Sequence, residues 1–189
     1  MSLPAISLPA EDLYFLTDFG IDRLIHPRLP SLSALVSNRG YLALHAANTP
    51  PNPGRIEERA RWMGWSAVSG RATPRDRKCF SAMILRPTSP TALHRSQQSG
   101  RNLRAVDLAA LPRGAVVAVV ELIGEEVGGP NRTPTWFLGP LRVLPRPVAV
   151  PTDGWPCWTP WTLQAPAYDT VRVGWRDATR RPTSRRSAG

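Results

Sequence analysis

The hydrophobic pattern is strongest at residues 115–120, where Ala-Val-Val-Ala-Val-Val forms an unbroken apolar run. The run is much shorter than the ~20 residues that cross a bilayer, and its valines favour extended backbone. It therefore predicts a strand that is buried on both faces. One carboxylate, Glu121, follows directly. Because a charge beside a buried strand is costly unless it has a partner, Glu121 is the first candidate for chemistry.

Alternating segments predict further strands. Residues 40–46 alternate, with Leu42 and Leu44 on one face and Tyr41 and His45 on the other. The prolines lie between the predicted strands, as a sheet requires. Other extended segments are predicted at residues 1–10, 135–143, 147–150 and 168–173, and residues 80–85 are either a strand or a buried turn.

One-sided apolar spacing predicts three helices. Residues 11–24 begin with two acids, which favour a helix N-terminus, and residues 55–67 follow a proline-rich break. Residues 103–111 predict a third, short helix. Short strands separated by proline turns, with helices beside them, indicate an α+β or barrel architecture.

Composition places the chain among globular proteins. Its 189 residues suffice for one domain with a real core, and 42% hydrophobic and 20% charged residues are typical of one. No signal-peptide pattern follows Met1, so we expect a cytoplasmic protein without membrane association. Cys79 and Cys157 lie far apart, with no neighbours at metal-ligand spacing. We therefore expect neither a metal nor a cofactor.

The formal charge of +10 comes almost entirely from arginine, since Lys78 is the only lysine. Such a charge favours polyanionic partners, but an arginine-rich composition is also what a GC-rich genome produces. Residues 174–189 carry five arginines and one aspartate, a net +4, which leaves +6 for residues 1–173. We expect this tail to be disordered, and to act either as a phosphate-binding arm or as a solvated end without a role.

Several motifs occur in a characteristic order. They are Arg39–Ala46, the loop and strand Leu111–Leu122, Trp136 with Gly139-Pro140, Pro147-Val148, and Trp161. In this order they resemble the ASCH family, a branch of the PUA-like β-barrel superfamily. The resemblance implies a small PUA-like β-barrel with flanking helices over residues 1–173, with an insertion at about 48–105. It also implies a cleft that accepts RNA or a modified base.

The chain departs from the hydrolases of that family. Those enzymes place a lysine two residues after a helix-ending glycine and a threonine three residues further on. Here Gly20 is followed at those positions by Asp22 and Ile25. An acid and a hydrocarbon supply neither the amine base nor the hydroxyl, so inherited amide hydrolysis is disfavoured. The polar patch of longer members is replaced by residues 25–28, Ile-His-Pro-Arg.

Arg39 and Arg113 each precede a strand and could meet at one rim of a barrel, where phosphate contact needs charge without fixed geometry. Ordinary surface arginines are the alternative. His45, on the face with Tyr41, could contact a phosphate or a base, although a satisfied, half-buried histidine is the commoner case.

Glu121 could accept hydrogen bonds from the exocyclic amine of a base or act as a general base. The alternative is a strand-end carboxylate held by an arginine. Trp158 lies in a proline-rich loop and is, with Trp155, the better tryptophan candidate for exposure and base stacking.

Together these features predict a protein that binds RNA or a modified, nucleotide-like ligand through Arg39, Tyr41, His45, Arg113, Glu121 and Trp158. One rival is a nuclease or modified-base amidohydrolase that uses Glu121. A second rival is a protein-interaction module that docks through residues 55–67 and their tryptophans.

Overall fold

A computed structural model describes residues 2–30, 40–69, 82–98, 104–128, 133–150 and 157–180. The chain divides into two units. Unit 1 comprises Met1–Thr49 and Pro112–Gly189, and unit 2 comprises Pro50–Leu111. In chain order the elements are β1 (Leu3–Leu8), α1 (Ala10–Phe19), β2 (Arg23–Ile25), β3 (Tyr41–Ala46), α2 (Pro53–Trp62), β4 (Trp65–Ser69), β5 (Ala82–Pro87), α3 (Pro90–Gln98), β6 (Arg104–Asp107), β7 (Ala115–Gly128), β8 (Thr133–Ala149), β9 (Pro160–Leu163) and α4 (Ala167–Arg180).

Unit 1 is built on a six-stranded mixed sheet with the order β2-β8-β7-β3-β1-β9. Among the described strands of this sheet only β1 and β3 pair in parallel, and the chain between them includes α1 and β2. The other neighbours are antiparallel. The α+β class is confirmed. In the described residues β2 and β9 each have one strand neighbour, so no closed barrel is found there.

The apolar run of β7 is buried along its whole length, as predicted. On one face it packs with Leu42, Leu44 and Trp136 beneath α1. On the other face it packs with Ala43 and with Val171 of α4. At ~25 cal/mol per Å² of buried apolar surface, covering both faces of this strand contributes to the stability of this unit.

Proline-containing bulges shape β8, the longest strand. Val116 pairs with Val148 and Ala118 with Val143, so the four residues 144–147 of β8 stand opposite Val117 alone. Pro145 and Pro147 cannot donate a ladder hydrogen bond, which explains why the regular pairing stops there.

Two of the sequence predictions give the wrong type of secondary structure. Residues 168–173 are not a strand but belong to α4, because Tyr168, Val171 and Trp175 place their apolar side chains at helical spacing against the sheet. A helix was also predicted over residues 103–111, but the described residues 104–111 do not form one. They contain β6, which pairs with β5 in antiparallel fashion.

Other elements begin or end at different residues than predicted. The first helix ends at Phe19, because Gly20 adopts φ 63° and forms its left-handed C-terminal cap. Leu24, which was expected in that helix, lies in β2. At the end of the chain, residues 174–180, which were assigned to the disordered tail, continue α4. Residues 181–189 lie outside the described residues.

Unit 2 contains the three-stranded antiparallel sheet β4-β5-β6 with α2 and α3. Its span of 50–111 compares with the insertion expected at about 48–105. Gly64 turns the chain from α2 into β4 with φ 74°. Its carbonyl accepts hydrogen bonds from the backbone N–H of Thr88 at 2.7 Å and of Ser89 at 3.0 Å. A Cβ atom at Gly64 would collide with the Ser89 side chain.

Substitutions at two glycines that both have positive φ can distinguish backbone strain from steric conflict. Gly20 (φ 63°) has open space where a Cβ would lie, whereas Gly64 (φ 74°) does not. We expect Gly20→Ala to cost about 1–2 kcal/mol from the left-handed backbone alone. Gly64→Ala adds the collision with Ser89 and should cost more than ~2 kcal/mol. Native-state hydrogen exchange of β4 and β5 amides measures the effect, and unchanged protection in Gly64→Ala would contradict this packing.

Candidate functional site

Tyr41 and Glu121 lie directly opposite each other on β3 and β7. Side chains in this arrangement share one face of the sheet, with Cβ atoms ~5 Å apart. Both side chains are exposed, Tyr41 by 40%. Across β7, a Cβ atom at Gly139 of β8 would lie 3.1 Å from the Cβ of Glu121. Glycine at position 139 therefore leaves room for the Glu121 side chain.

Trp175 of α4 packs against Tyr41. Their ring centroids are 4.5 Å apart and the ring planes are tilted by 56°. Trp175 is partly buried and also contacts the apolar cluster beneath α4. We call Tyr41, Trp175 and Glu121 the aromatic platform. It combines an exposed ring, a second ring that fixes its position, and a hydrogen-bond acceptor.

Exposed arginines lie close to the platform in the fold. Arg176 follows Trp175 on α4 and is exposed. Arg142 of β8 pairs with Val119, two residues before Glu121, and is also exposed. Because Val119 faces α4 in the sheet, the register places Arg142 on that same side. Positive charge therefore accompanies the aromatic platform.

His45 lies in the interior, with 0% exposure. Its Nδ1 is 3.0 Å from Ser7 Oγ, and Trp161 Nε1–H donates to the same Ser7 Oγ at 3.1 Å. The edge of Trp161 also meets the imidazole, with centroids 5.5 Å apart. Burial lowers the pKa of His45, and a hydrogen bond with the backbone of Val150 opposes this shift. The structure thus places His45 as a neutral core residue and not on a ligand-accessible surface.

Trp158, expected to be exposed, is only 4% accessible. Its indole stacks on the imidazole of His26 with centroids 3.9 Å apart and planes within 5°. Its backbone N–H donates to the Ser7 carbonyl at 2.7 Å, and its φ is 71°. Trp158 therefore contributes to the core of unit 1. Trp155 lies outside the described residues.

Arg113 and Glu121 are not brought together. Arg113 is exposed beside Gly114, whose N–H donates to the Ala46 carbonyl at 2.8 Å. Ala46 pairs with Ala115 at one end of the β3–β7 ladder, and Glu121 lies at the other end. The two ends are roughly 20 Å apart at ~3.3 Å per residue. Arg39 lies outside the described residues.

The sequence interpretation missed Trp175 and Arg142, and it considered Arg176 only as part of a tail that either binds phosphate or has no role. Trp175 follows Val171 by four residues, a helical spacing that was available in the sequence. The arginine-rich composition of the last sixteen residues directed them to a disordered tail instead. Arg142 carries no distinguishing sequence signal, since its place depends on the register of β8 against β7.

Within the described ranges, no group of three or more His, Cys, Asp or Glu side chains could hold a metal ion. Cys79 lies outside those ranges, and Cys157 is partly buried against the core of unit 1. None of the helices in the described part of the chain combines the length and apolar character needed to span a bilayer.

No protein-family model matches the chain, and no curated protein matches it significantly.

The lowered pKa of His45 predicts a specific pH dependence of stability. The unfolded chain, with an ordinary histidine pKa of ~6.5, binds this proton more readily than the folded chain. The His45 contribution is therefore complete above pH ~6.5 and is lost as the pH falls below that value, by at most ~1.4 kcal/mol per pH unit.

We expect the thermal midpoint of the wild type to fall between pH 7.5 and pH 5, and His45→Gln to show a shallower fall from a lower starting value. The matched control is His94→Gln, since His94 is exposed. Circular dichroism melts at several pH values measure all three proteins. Identical pH profiles for wild type and His45→Gln would exclude this role of His45.

Proposed function

We propose that this chain is a PUA-like domain of ASCH type that binds single-stranded RNA, or a nucleotide with the same base and phosphate groups, at the aromatic platform. The observation that carries this proposal is the exposed ring of Tyr41, held by Trp175 and directly opposite the Glu121 carboxylate. The family assignment is supported by the order of the sequence motifs and is compatible with the α+β sheet of unit 1.

The three side chains of the platform suit an unpaired base. A base stacked on the free face of Tyr41 gains ~1–3 kcal/mol. When it is ionised, Glu121 accepts hydrogen bonds but cannot donate them. It therefore favours bases that carry an exocyclic amine. Arg142 and Arg176 supply charge for the phosphate of the same nucleotide.

Binding is favoured over hydrolysis by what lies around Glu121. Its neighbours across β3 and β8 are Tyr41 and Gly139, which provide a phenol and no side chain. His45, the other candidate for acid–base chemistry, is hydrogen-bonded to Ser7 in the interior. A general base needs a substrate proton or a nucleophile within hydrogen-bond reach, and His45 is not positioned to activate one on this surface.

The protein-docking alternative needs exposed tryptophans, and one of the two in residues 55–67 is buried. On α2, Trp62 is 69% exposed, and the Arg59 guanidinium lies over its ring, 5.6 Å from the centroid. Trp65 is only 5% exposed and belongs to the core of unit 2. A single exposed tryptophan is not a contiguous apolar patch of the size that marks protein interfaces.

The test is binding of a fluorescently labelled single-stranded RNA of mixed sequence, followed by anisotropy at low salt. Tyr41→Ala should weaken binding about tenfold, equivalent to ~1.4 kcal/mol of lost stacking. Tyr41→Phe should retain wild-type affinity because the ring remains. Glu121→Gln should reduce the preference for cytosine-rich or adenine-rich RNA over uridine-rich RNA.

The matched control is Trp62→Ala, which removes an exposed tryptophan of unit 2 and should leave RNA affinity unchanged. Circular dichroism confirms that each variant is folded. The proposal fails if the wild type shows no salt-sensitive affinity for RNA, or if folded Tyr41→Ala binds as tightly as the wild type.

A further inference from the structure

The arginines of α4 recur at a regular interval beside the platform. Arg172 and Arg176 are four residues apart, and the same spacing continues at Arg180 in the sequence. Residues four apart lie on one side of a helix, separated by ~6 Å along its axis. The apolar side of α4, which includes Val171 and Trp175, is packed on the sheet. Arg172 and Arg176 lie along the flank of that packed side, next to Trp175.

Arg172 has donors to spare. Its side chain is 36% exposed, and its Nη2 is 3.8 Å from Asp169 Oδ1, whose side chain is 58% exposed. An exposed ion pair at this distance contributes little. Its Nε is buried and has no hydrogen-bond partner among the described residues, so an anion would meet the exposed part of the guanidinium and not Nε. A guanidinium presents five N–H donors, so Arg172 can bind an anion without giving up a strong internal interaction.

The adjoining strand extends this positive surface. Gly174 brings α4 close to the bulge of β8, where its Cβ position is 3.5 Å from Leu144 Cδ2 and 3.8 Å from Pro145 Cδ. Arg142 and Arg146 lie on either side of that contact in the sequence, and both are exposed. Residues 133–149 include these two arginines and no acidic residue.

We infer that Arg172 and Arg176 of α4, together with Arg142 of β8, form a phosphate track that binds successive phosphates of a single strand whose base stacks on Tyr41. This inference rests on the proposed function and adds the path of the backbone. Repeated cations beside an exposed aromatic ring complement an unpaired polyanion, because the ring needs a free base face and the arginines need regularly spaced phosphates.

Salt dependence distinguishes phosphate contacts from stacking. For single strands, each neutralised phosphate contributes ~0.7 to the slope of log affinity against log salt. Arg172→Ala, Arg176→Ala and Arg142→Ala should each reduce the slope by about 0.7 for a labelled single-stranded RNA 12-mer. Arg176→Lys should retain the slope, because phosphate contact requires charge more than fork geometry.

Two controls separate the track from net charge and from the platform. Arg86→Ala, at an exposed position in β5 of unit 2, lowers the net charge equally and should leave the slope unchanged. Tyr41→Ala should weaken binding without changing the slope. Shortening the RNA from a 12-mer to a dinucleotide should weaken wild-type binding more than that of Arg172→Ala or Arg176→Ala.

Failure of the track can be told apart from failure of the platform. If Tyr41→Ala weakens binding while the three arginine variants keep the wild-type slope, the track is wrong and the proposed function stands. If Arg86→Ala lowers the slope as much as Arg176→Ala does, the effect is one of net charge and the track is again wrong. Equal affinity for a blunt RNA duplex, unaffected by Tyr41→Ala, would overturn both.

Discussion

The structure of unit 1 depends on burying both faces of the strand at residues 115–120. When a strand has apolar side chains on both faces, both faces of the sheet must be shielded from water at that strand. Each side therefore requires a covering layer. The helix α1 supplies one layer, and α4 supplies the other. The helix at the end of the chain is therefore a structural requirement of its central strand.

The burial of this strand also determines where aromatic and polar side chains can contact a ligand. Glu121 is the first residue of β7 beyond the run that both layers cover, and Tyr41 stands opposite it at the start of β3. Trp175, which α4 carries to the edge of the apolar cluster, meets Tyr41 at that same boundary. The platform thus forms where the buried section of the sheet ends and solvent begins, a place where an aromatic ring can be both held by packing and open to a ligand.

The sequence allowed the central strand, β3 and the α+β class to be predicted because each rests on a local pattern of apolar residues. The role of α4 was not predicted, because Val171 and Val173 fit a strand as well as a helix and the arginine-rich composition assigned Trp175 to a disordered tail. His45 was considered for a binding surface for a related reason, although a satisfied, half-buried histidine was the commoner alternative. A polar side chain on an alternating strand looks like a surface residue unless its internal partner is known, and Ser7 lies 38 residues from His45 along the chain.

The division between interior and surface polar groups bears on the choice between binding and catalysis. Ser7 Oγ is hydrogen-bonded to His45 and to Trp161, which links β1 to β3 and to β9 and supports their register. Catalysis requires an acid–base group whose proton can reach a substrate, and the buried histidine has its Nδ1 engaged in that network. At the platform the described side chains are a carboxylate and two rings with exposed arginines nearby, a set of groups that can hold a base and its phosphates.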